Sequence, residues 1–555
     1  RTLLGGGVRA LFYRRNMDTK KYIPERVKED LGSYFVKGFD DLYAHGAKVQ
    51  DEVLDEIIKI VADSSYAHDH GFAGVSSKEE FLAKVPVSEY ADYVDYVARD
   101  MEGEGNQLSS LPTDHYLMST GRGGFAGKYY IETRVGAIAR QTSIDLYQMG
   151  IVHNEPVLRE PGFKTMPVVN PTSIPVAHNG KEVRRTSSQA GKALWENGGD
   201  VFIFPYEFLE AQMSETDRNY MYALYALAEK NLVQTNCNNL DAFGDFLDSI
   251  EANAAQMIED IRTGHFSVDI ADEDRALLEG MFQPNPARAD ELVALLKETG
   301  KFDFDEVWPR FRLATGWIGG SVGCFSRDVM DRLPSRMRYY NTPYGCTEIM
   351  IAATSDPGSD VGPLNVFGGF FEFLPLDGGD PVEMRDLQAG KLYEVLVTTY
   401  SGLCRYNLHD IIRVDSFRGE TACIEFRGRA AEVIKVNDTS LYGFEFCDLV
   451  LGVLDSEDAI ASVFQAFVEN GAQGEELSVV VEFYREPTDR VAFAAKLKAA
   501  MEQAGVAPGR VYVVRKGYRR NLYLSLMQLG LIVQSMKLPV VAAKLPDEAE
   551  IEAVL

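Results

Sequence analysis

Apolar positions along the chain repeat with two different periods. Residues 51–62 place Val53, Leu54, Ile57, Ile58 and Val61 on one side of a 3.6-residue turn, which predicts an amphipathic helix. Residues 245–262 repeat the pattern with Leu247, Ile250, Ala254, Met257, Ile258 and Ile261, and Gly264 follows as a natural stop. A third helical region spans 134–153. Runs rich in aromatic and β-branched residues at 368–374 and 392–399 read as strands. Helices and strands interleave through the large N-terminal part, so it reads as α/β.

The last part has a plainer order. A strand at 433–436 precedes a helix at 444–454, strands at 462–468 and 477–484, a helix at 489–501 and a strand at 510–515. That βαββαβ order predicts a compact two-layer α+β unit. It begins just after Gly428-Arg429. The expected division is a large domain, 1–429, and a small C-terminal domain, 430–555. No Pro/Ser-rich linker and no internal repeat marks the join.

Composition narrows the class. The 555 residues are 46% hydrophobic and 25% charged, with no low-complexity tract, as in a globular protein with a large core. A net charge of −27 argues against nucleic acid or an anionic membrane as partner. The six cysteines are scattered without a C-x-x-C pair, which suggests reduced thiols in a cytoplasmic protein. His68-Asp69-His70 is the one close histidine pair, and it lacks ligand company, so a surface loop is expected there instead of a metal site. No apolar run reaches transmembrane length. The arginines near the N-terminus flank an apolar stretch broken by Gly5-Gly6-Gly7, which does not resemble a signal peptide.

The candidate chemistry starts at Ser119-Thr120-Gly121-Arg122-Gly123-Gly124-Phe125-Ala126-Gly127-Lys128. Glycines let backbone N–H groups turn toward an anion, and a lysine adds a point charge, so the segment suits a polyphosphate. It is not a Walker A loop: Arg122 stands where the first glycine belongs, and Tyr129 replaces the metal-binding hydroxyl. Gly121, Gly123 and Ala126 fit a dinucleotide fingerprint formally, but that loop must open into a helix. Here residues 128–133 read as a second strand after the strand-like 114–118. A hairpin without a ligand and a strand–loop–strand phosphate site are both compatible with the segment alone. Two further motifs follow, Tyr344-Gly345-Cys346-Thr347-Glu348 and Gly402-Leu403-Cys404-Arg405-Tyr406-Asn407-Leu408-His409-Asp410.

Taken in this order, the three motifs resemble those of the GH-three acyl acid–amido synthetases. This is the auxin-responsive promoter family of the adenylate-forming, firefly-luciferase-like superfamily. The similarity runs from about residue 55 to 540 and includes Asp260-Ile261-Arg262-Thr263-Gly264, Phe371-Glu372-Phe373-Leu374-Pro375-Leu376 and Gln534-Ser535-Met536-Lys537-Leu538-Pro539. The resemblance implies a large adenylate-forming domain with a small mobile C-terminal domain. It also implies ATP and Mg²⁺ as cofactors, and a small carboxylic acid and an amino acid as substrates. An acyl-CoA or thioester ligase of the same fold, or a catalytically altered nucleotide-binding relative, are the alternatives.

It further implies residue roles. Ser119, Thr120, Gly121, Arg122, Gly123 and Gly124 would hold the outer phosphates of ATP, with Lys128 adding charge. Glu348 would hold Mg²⁺. Thr342, Tyr344, Gly345, Cys346 and Thr347 would line the adenine, Asp410 would meet the ribose, and Arg429 would steady the nucleotide. Thr315, Gly316 and Trp317 would lie by the acyl group, and Lys537 would arrive as the small domain closes. A monomer is expected. The sequence departs from the family pattern at Arg122, where a small hydroxyl residue is usual, and at Val540, where arginine often follows Lys-x-Pro. It departs again in the third motif, usually Arg-x-Gly-Asp, where Asn407 and His409 replace the arginine and the glycine. The glycine's place suggests a residue at positive φ, a region histidine tolerates better than most side chains.

Overall fold

The computed structural model describes residues 43–119, 127–168, 176–184, 195, 201–471, 474–528 and 538–555. The chain divides into two compact units. One comprises Arg1–Arg159, Ser173–Gln189 and Asn341–Ala431; the other comprises Glu160–Thr172, Ala190–Tyr340 and Glu432–Leu555.

The first unit is built on a six-stranded sheet. Its central strands Gly369–Pro375, Leu392–Thr399, Tyr406–Arg418 and Thr421–Arg429 pair antiparallel with their neighbours. Leu392–Thr399 is buried along most of its length, as its near-continuous apolar run requires. The predicted helix at 51–62 begins earlier and spans Gly46–Val61; the residues forecast for its apolar side are the buried ones. It starts at a glycine because the chain there lies against the sheet: a Cβ on residue 46 would stand 2.1 Å from Thr421 Oγ1. One turn on, the buried Gln50 fastens the helix to the sheet edge. Its Nε2 donates to the carbonyls of Val366 at 2.6 Å and Gly369 at 2.8 Å, and its Oε1 accepts from Phe371 N at 2.8 Å.

A second, three-stranded sheet of this unit joins Tyr129–Thr133, Thr113–Met118 and Val183–Arg184. Tyr129–Thr133 pairs antiparallel with Thr113–Met118, so the glycine-rich segment is bracketed by strands on both sides. The helix Arg134–Asn154 follows at once, with the Thr133 side chain capping it at Gly136 N. His68 lies in the short helix Ser65–Asp69 and His70 is the residue that ends it, so the expected surface loop is instead a helix terminus. Among the described residues, no group of three or more His, Cys, Asp or Glu could hold a metal ion.

The second unit carries a sheet of Lys164–Val168, Leu232–Asn239, Leu313–Trp317 and Arg338–Asn341, the first three parallel. Helices Glu215–Ala228 and Asp241–Thr263 pack in this unit, and Gly264 ends the latter in the left-handed conformation at φ 75°. Trp308, Phe208, Tyr222 and Phe246 are buried in its aromatic core.

All six elements forecast for 433–515 are present. Three more surround them: strand Thr439–Tyr442, helix Tyr518–Gln528 and strand Ile551–Val554. Thr439–Tyr442 folds back on Val433–Val436 through Asn437 at φ 52°, a turn residue that tolerates the left-handed region. Within this unit, buried Arg519 donates to Asp328 Oδ1 at 3.0 Å, joining the helix Tyr518–Gln528 to Arg327–Arg332. Among the described residues, no helix is long and apolar enough to cross a membrane.

Replacing Gln50 by leucine would strand two carbonyls and one N–H inside the first unit. We expect Gln50→Leu to lower stability by about 2–4 kcal/mol, read as a fall in the midpoint of urea unfolding. An unchanged midpoint would show that the clamp contributes nothing.

Candidate active site

The two ends of the glycine-rich loop are hydrogen-bonded together. Ser119 N donates to the Lys128 carbonyl at 2.9 Å, and Lys128 N donates to Ser119 Oγ at 2.9 Å. Gly127 permits this closure, since a Cβ there would lie 2.3 Å from the Ser119 carbonyl oxygen. The exposed Lys128 ammonium sits 4.7 Å from the centre of the Tyr90 ring. The Tyr90 hydroxyl in turn accepts from Tyr129 N at 2.9 Å. Thr120, Gly121, Arg122, Gly123 and Gly124 lie outside the described residues, as does Lys537.

The strand leaving the loop carries its second residue inward. Tyr130 is buried, and its phenol donates to Glu348 Oε1 at 2.6 Å. Its oxygen also lies 3.3 Å from the Tyr406 hydroxyl. Burial, then the Glu348 charge, pushes the Tyr130 phenol far above its ordinary range, so it is a fixed donor. The rings of Tyr90 and Tyr130 are 5.4 Å apart, and those of Tyr130 and Tyr406 are edge-to-face at 6.4 Å. Loop stem, Glu348 and the third motif are thereby joined through three tyrosines.

Glu348 sits on the turn between Tyr344–Gly345 and Met350–Ala352, a two-stranded ribbon. Buried Arg140, from the helix after the Tyr130 strand, holds that turn. It donates to the carbonyls of Cys346 at 3.0 Å and Thr347 at 2.8 Å, and to Glu132 Oε2 at 3.2 Å. Glu132 is itself buried, which raises its carboxyl, while Arg140 and His115 pull the other way. The Cys346 thiol is pushed up by burial first and by Glu348 second, so it is neutral.

The same ribbon reaches Asp410. The buried Tyr344 phenol donates to Asp410 Oδ2 at 3.0 Å, and Arg429 Nε lies 3.1 Å from Asp410 Oδ1. Asp410 and Arg429 face each other across paired strands. The ladder between Leu392–Thr399 and Tyr406–Arg418 carries an irregularity at Glu394/Leu396, opposite residues 407–411. A bulge of this kind re-aims side chains, and here the third motif occupies it.

His409 adopts the conformation that glycine gives elsewhere, φ 56°. Its ring bridges two carboxylates, with Nε2 at 2.9 Å from Glu89 and Nδ1 at 3.2 Å from Glu394. Asn407 donates to Glu394 at 3.0 Å and accepts from His409 N at 2.8 Å. The two departures from the family pattern therefore form one local network. Arg405 of the same motif serves the scaffold. It grips buried Glu372 through Nε at 2.9 Å and Nη2 at 2.8 Å, and it donates to the Val85 carbonyl at 2.7 Å.

Thr342, Gly345 and Thr347 lie on or beside the ribbon with Tyr344, Cys346 and Glu348. Thr315 and Gly316 belong to the second unit and are core residues of the strand Leu313–Trp317; only Trp317 at its end is part-exposed. The Thr315 hydroxyl donates to the Thr235 carbonyl at 3.4 Å. Sequence reasoning missed Tyr90, Tyr130, Tyr406 and Arg140. The one available signal was the density of tyrosines beside the motifs.

Residues 35–335 match the GH3 family N-terminal domain, and residues 363–429 match the GH3 family central domain. A jasmonoyl–L-amino acid synthetase of Oryza sativa subsp. japonica is 22% identical, over 91% of this chain and 94% of that protein. The indole-3-acetic acid-amido synthetase GH3.15 of Arabidopsis thaliana is 25% identical, over 78% of this chain and 77% of its own length. Among solved structures, AtGH3.15 acyl acid amido synthetase in complex with 2,4-DB matches with a TM-score of 0.81 at 20% identity, covering 94% of this chain and 97% of that one. The structural likeness establishes the fold.

The backbone at 409 supplies a direct test. His409→Gly should fold as the wild type does, whereas His409→Val should lose about 1–3 kcal/mol because a β-branched residue is strained at positive φ. Thermal unfolding distinguishes them; equal midpoints for the valine variant and the wild type would contradict the strained turn.

Proposed function

The chain belongs to the GH3 family, and on that footing we propose that it is an ATP-dependent acyl acid–amido synthetase, an adenylate-forming ligase. One observation carries the proposal within the first unit. The stem of the glycine-rich loop reaches Glu348 through the side chains of Tyr90 and Tyr130, and the ribbon that carries Glu348 reaches Asp410 through Tyr344.

The reaction has two steps. An oxygen of the carboxylic acid attacks the α-phosphorus of ATP, the bond to the bridging oxygen breaks, and pyrophosphate leaves. The amine of an amino acid then attacks the acyl carbon, loses a proton and expels AMP. Charge spreads over the phosphate oxygens in the first step, so positioning and electrostatics dominate it. Ser119 through Gly124 would hold the outer phosphates and Lys128 would leave the Tyr90 ring to meet them. Asp410 would accept from the ribose hydroxyls, with Arg429 beside it. Residues 342–347 would form the wall for the adenine.

Glu348 suits magnesium. A single half-buried carboxylate cannot build an all-protein cage, but Mg²⁺ takes few protein ligands and shares phosphate oxygens. When bound, the ion supplies neutralisation of the developing phosphate charge.

The roles of Trp317, Thr315 and Gly316 at the acyl group, of Lys537 in the second step, and of 430–555 as a mobile domain rest on the family resemblance. The relatives are named for different acids, among them jasmonate, 4-substituted benzoates and indole-3-acetate, so the acid is assigned here only as a small carboxylic acid. None of the six cysteines is in a disulfide, which fits work in a reducing compartment. The catalytic entity is proposed to be a monomer.

Carboxylate-dependent exchange between ATP and labelled pyrophosphate tests the first step, with a panel of aromatic and aliphatic acids. Glu348→Ala should lower exchange by at least about a hundredfold while still unfolding in a cooperative transition. Retained exchange would remove Glu348 from the machinery, and no exchange with any acid would favour a silent fold. For the second step, preformed acyl-adenylate should yield amides with amino acids; thioester formation with coenzyme A instead would make the protein an acyl-CoA ligase.

A further inference from the structure

Two supports of Glu348 act on different parts of it. Arg140 holds the turn on which it stands by gripping the carbonyls of Cys346 and Thr347. Nothing in that grip fixes where the carboxylate points. The Tyr130 phenol does, at 2.6 Å from Oε1. A donor on one carboxylate oxygen restricts rotation of the group and leaves the other oxygen as the natural metal ligand. The phenol is well braced: Tyr130 is 3% exposed, its oxygen lies 3.3 Å from Tyr406, and its ring packs near Tyr90 and Tyr406. Tyr130 is also only two residues beyond Lys128, on the strand that leaves the glycine-rich loop. One short segment therefore supplies both Lys128, the cation proposed to meet the phosphates, and the phenol that holds Glu348.

We propose that Tyr130 is the positioning residue for the magnesium that accompanies ATP, setting the Glu348 carboxylate through a single hydrogen bond. This rests on the reading of Glu348 as the metal carboxylate, and the experiment separates the two. Mn²⁺ stands in for Mg²⁺, and free Mn²⁺ is measured by electron paramagnetic resonance in titrations of the full-length protein with a non-hydrolysable ATP analogue. AMP affinity without metal is measured in parallel. Tyr130→Phe removes one oxygen and keeps the ring contacts, so its fold is checked by its unfolding midpoint alone.

The expected result is a loss of about 10–100-fold in Mn²⁺ affinity for Tyr130→Phe, with AMP affinity unchanged. Glu348→Gln should lose at least as much, and the double variant should be no worse than Glu348→Gln, because the phenol acts through that carboxylate. Tyr406→Phe, which keeps the ring beside Tyr130 and removes no hydrogen bond to Glu348, should lose far less Mn²⁺ affinity than Tyr130→Phe; an equal loss would overturn the proposal. If Tyr130→Phe binds Mn²⁺ like the wild type while Glu348→Gln does not, the positioning role is wrong and the metal role of Glu348 stands. If Glu348→Gln binds Mn²⁺ normally, the metal reading itself fails. Additive losses in the double variant, or an equal loss of AMP affinity in Tyr130→Phe, would make Tyr130 an ordinary structural residue and overturn the proposal.

Discussion

The hydrogen bond from Tyr130 to Glu348 joins side chains 218 residues apart, and the geometry of the first unit's site follows from it. Tyr130 lies in a strand buried from residue 130 onward, and a buried phenol must find an acceptor. The acceptor it finds is the one carboxylate that the second motif offers. The helix that begins immediately after this strand then contributes Arg140 to the same turn. A single strand–helix segment thus sets both the place and the direction of Glu348, and packing of that segment decides the chemistry available at the loop.

A chain of net charge −27 that handles a polyphosphate must keep its own carboxylates from repelling the ligand. Here four buried or half-buried acids near the motifs each have a partner. Glu132 has Arg140, Glu348 has Tyr130, Glu372 has Arg405, and Asp410 has Arg429 and Tyr344. Three of these partners are guanidinium groups, whose fork geometry matches a carboxylate and whose charge is permanent. His409 follows the same logic at the surface, between Glu89 and Glu394. The acidity of the molecule is therefore a property of its surface and is locally answered inside.

Much of this was legible beforehand because it depends on periodicity. The buried side of Gly46–Val61, the stop at Gly264, the strand Leu392–Thr399 and the βαββαβ order all come from spacing that a one-dimensional string preserves. The convergence of the motifs was legible only through resemblance, since no local rule brings residue 130 to residue 348. Tyr130 sits at an inward position of a strand and reads as core, and Arg140 sits inside a helix and reads as surface. Their function lies in what they touch, and those partners are distant in sequence. Strand Thr439–Tyr442 was missed because Thr-Ser-Leu-Tyr has a single β-branched side chain, whereas Val-Ile-Lys-Val at 433–436 is rich in them. Thr315 entered only through the resemblance; its side chain is buried and its hydroxyl donates to the Thr235 carbonyl.

The paired bonds between Ser119 and Lys128 act like the knot at the neck of a purse. Closure entropy grows only slowly with length, so an insertion of a residue or two between the tied ends costs little. A lineage carrying this knot can vary what lies between Ser119 and Lys128 while the two strands beyond them keep their pairing.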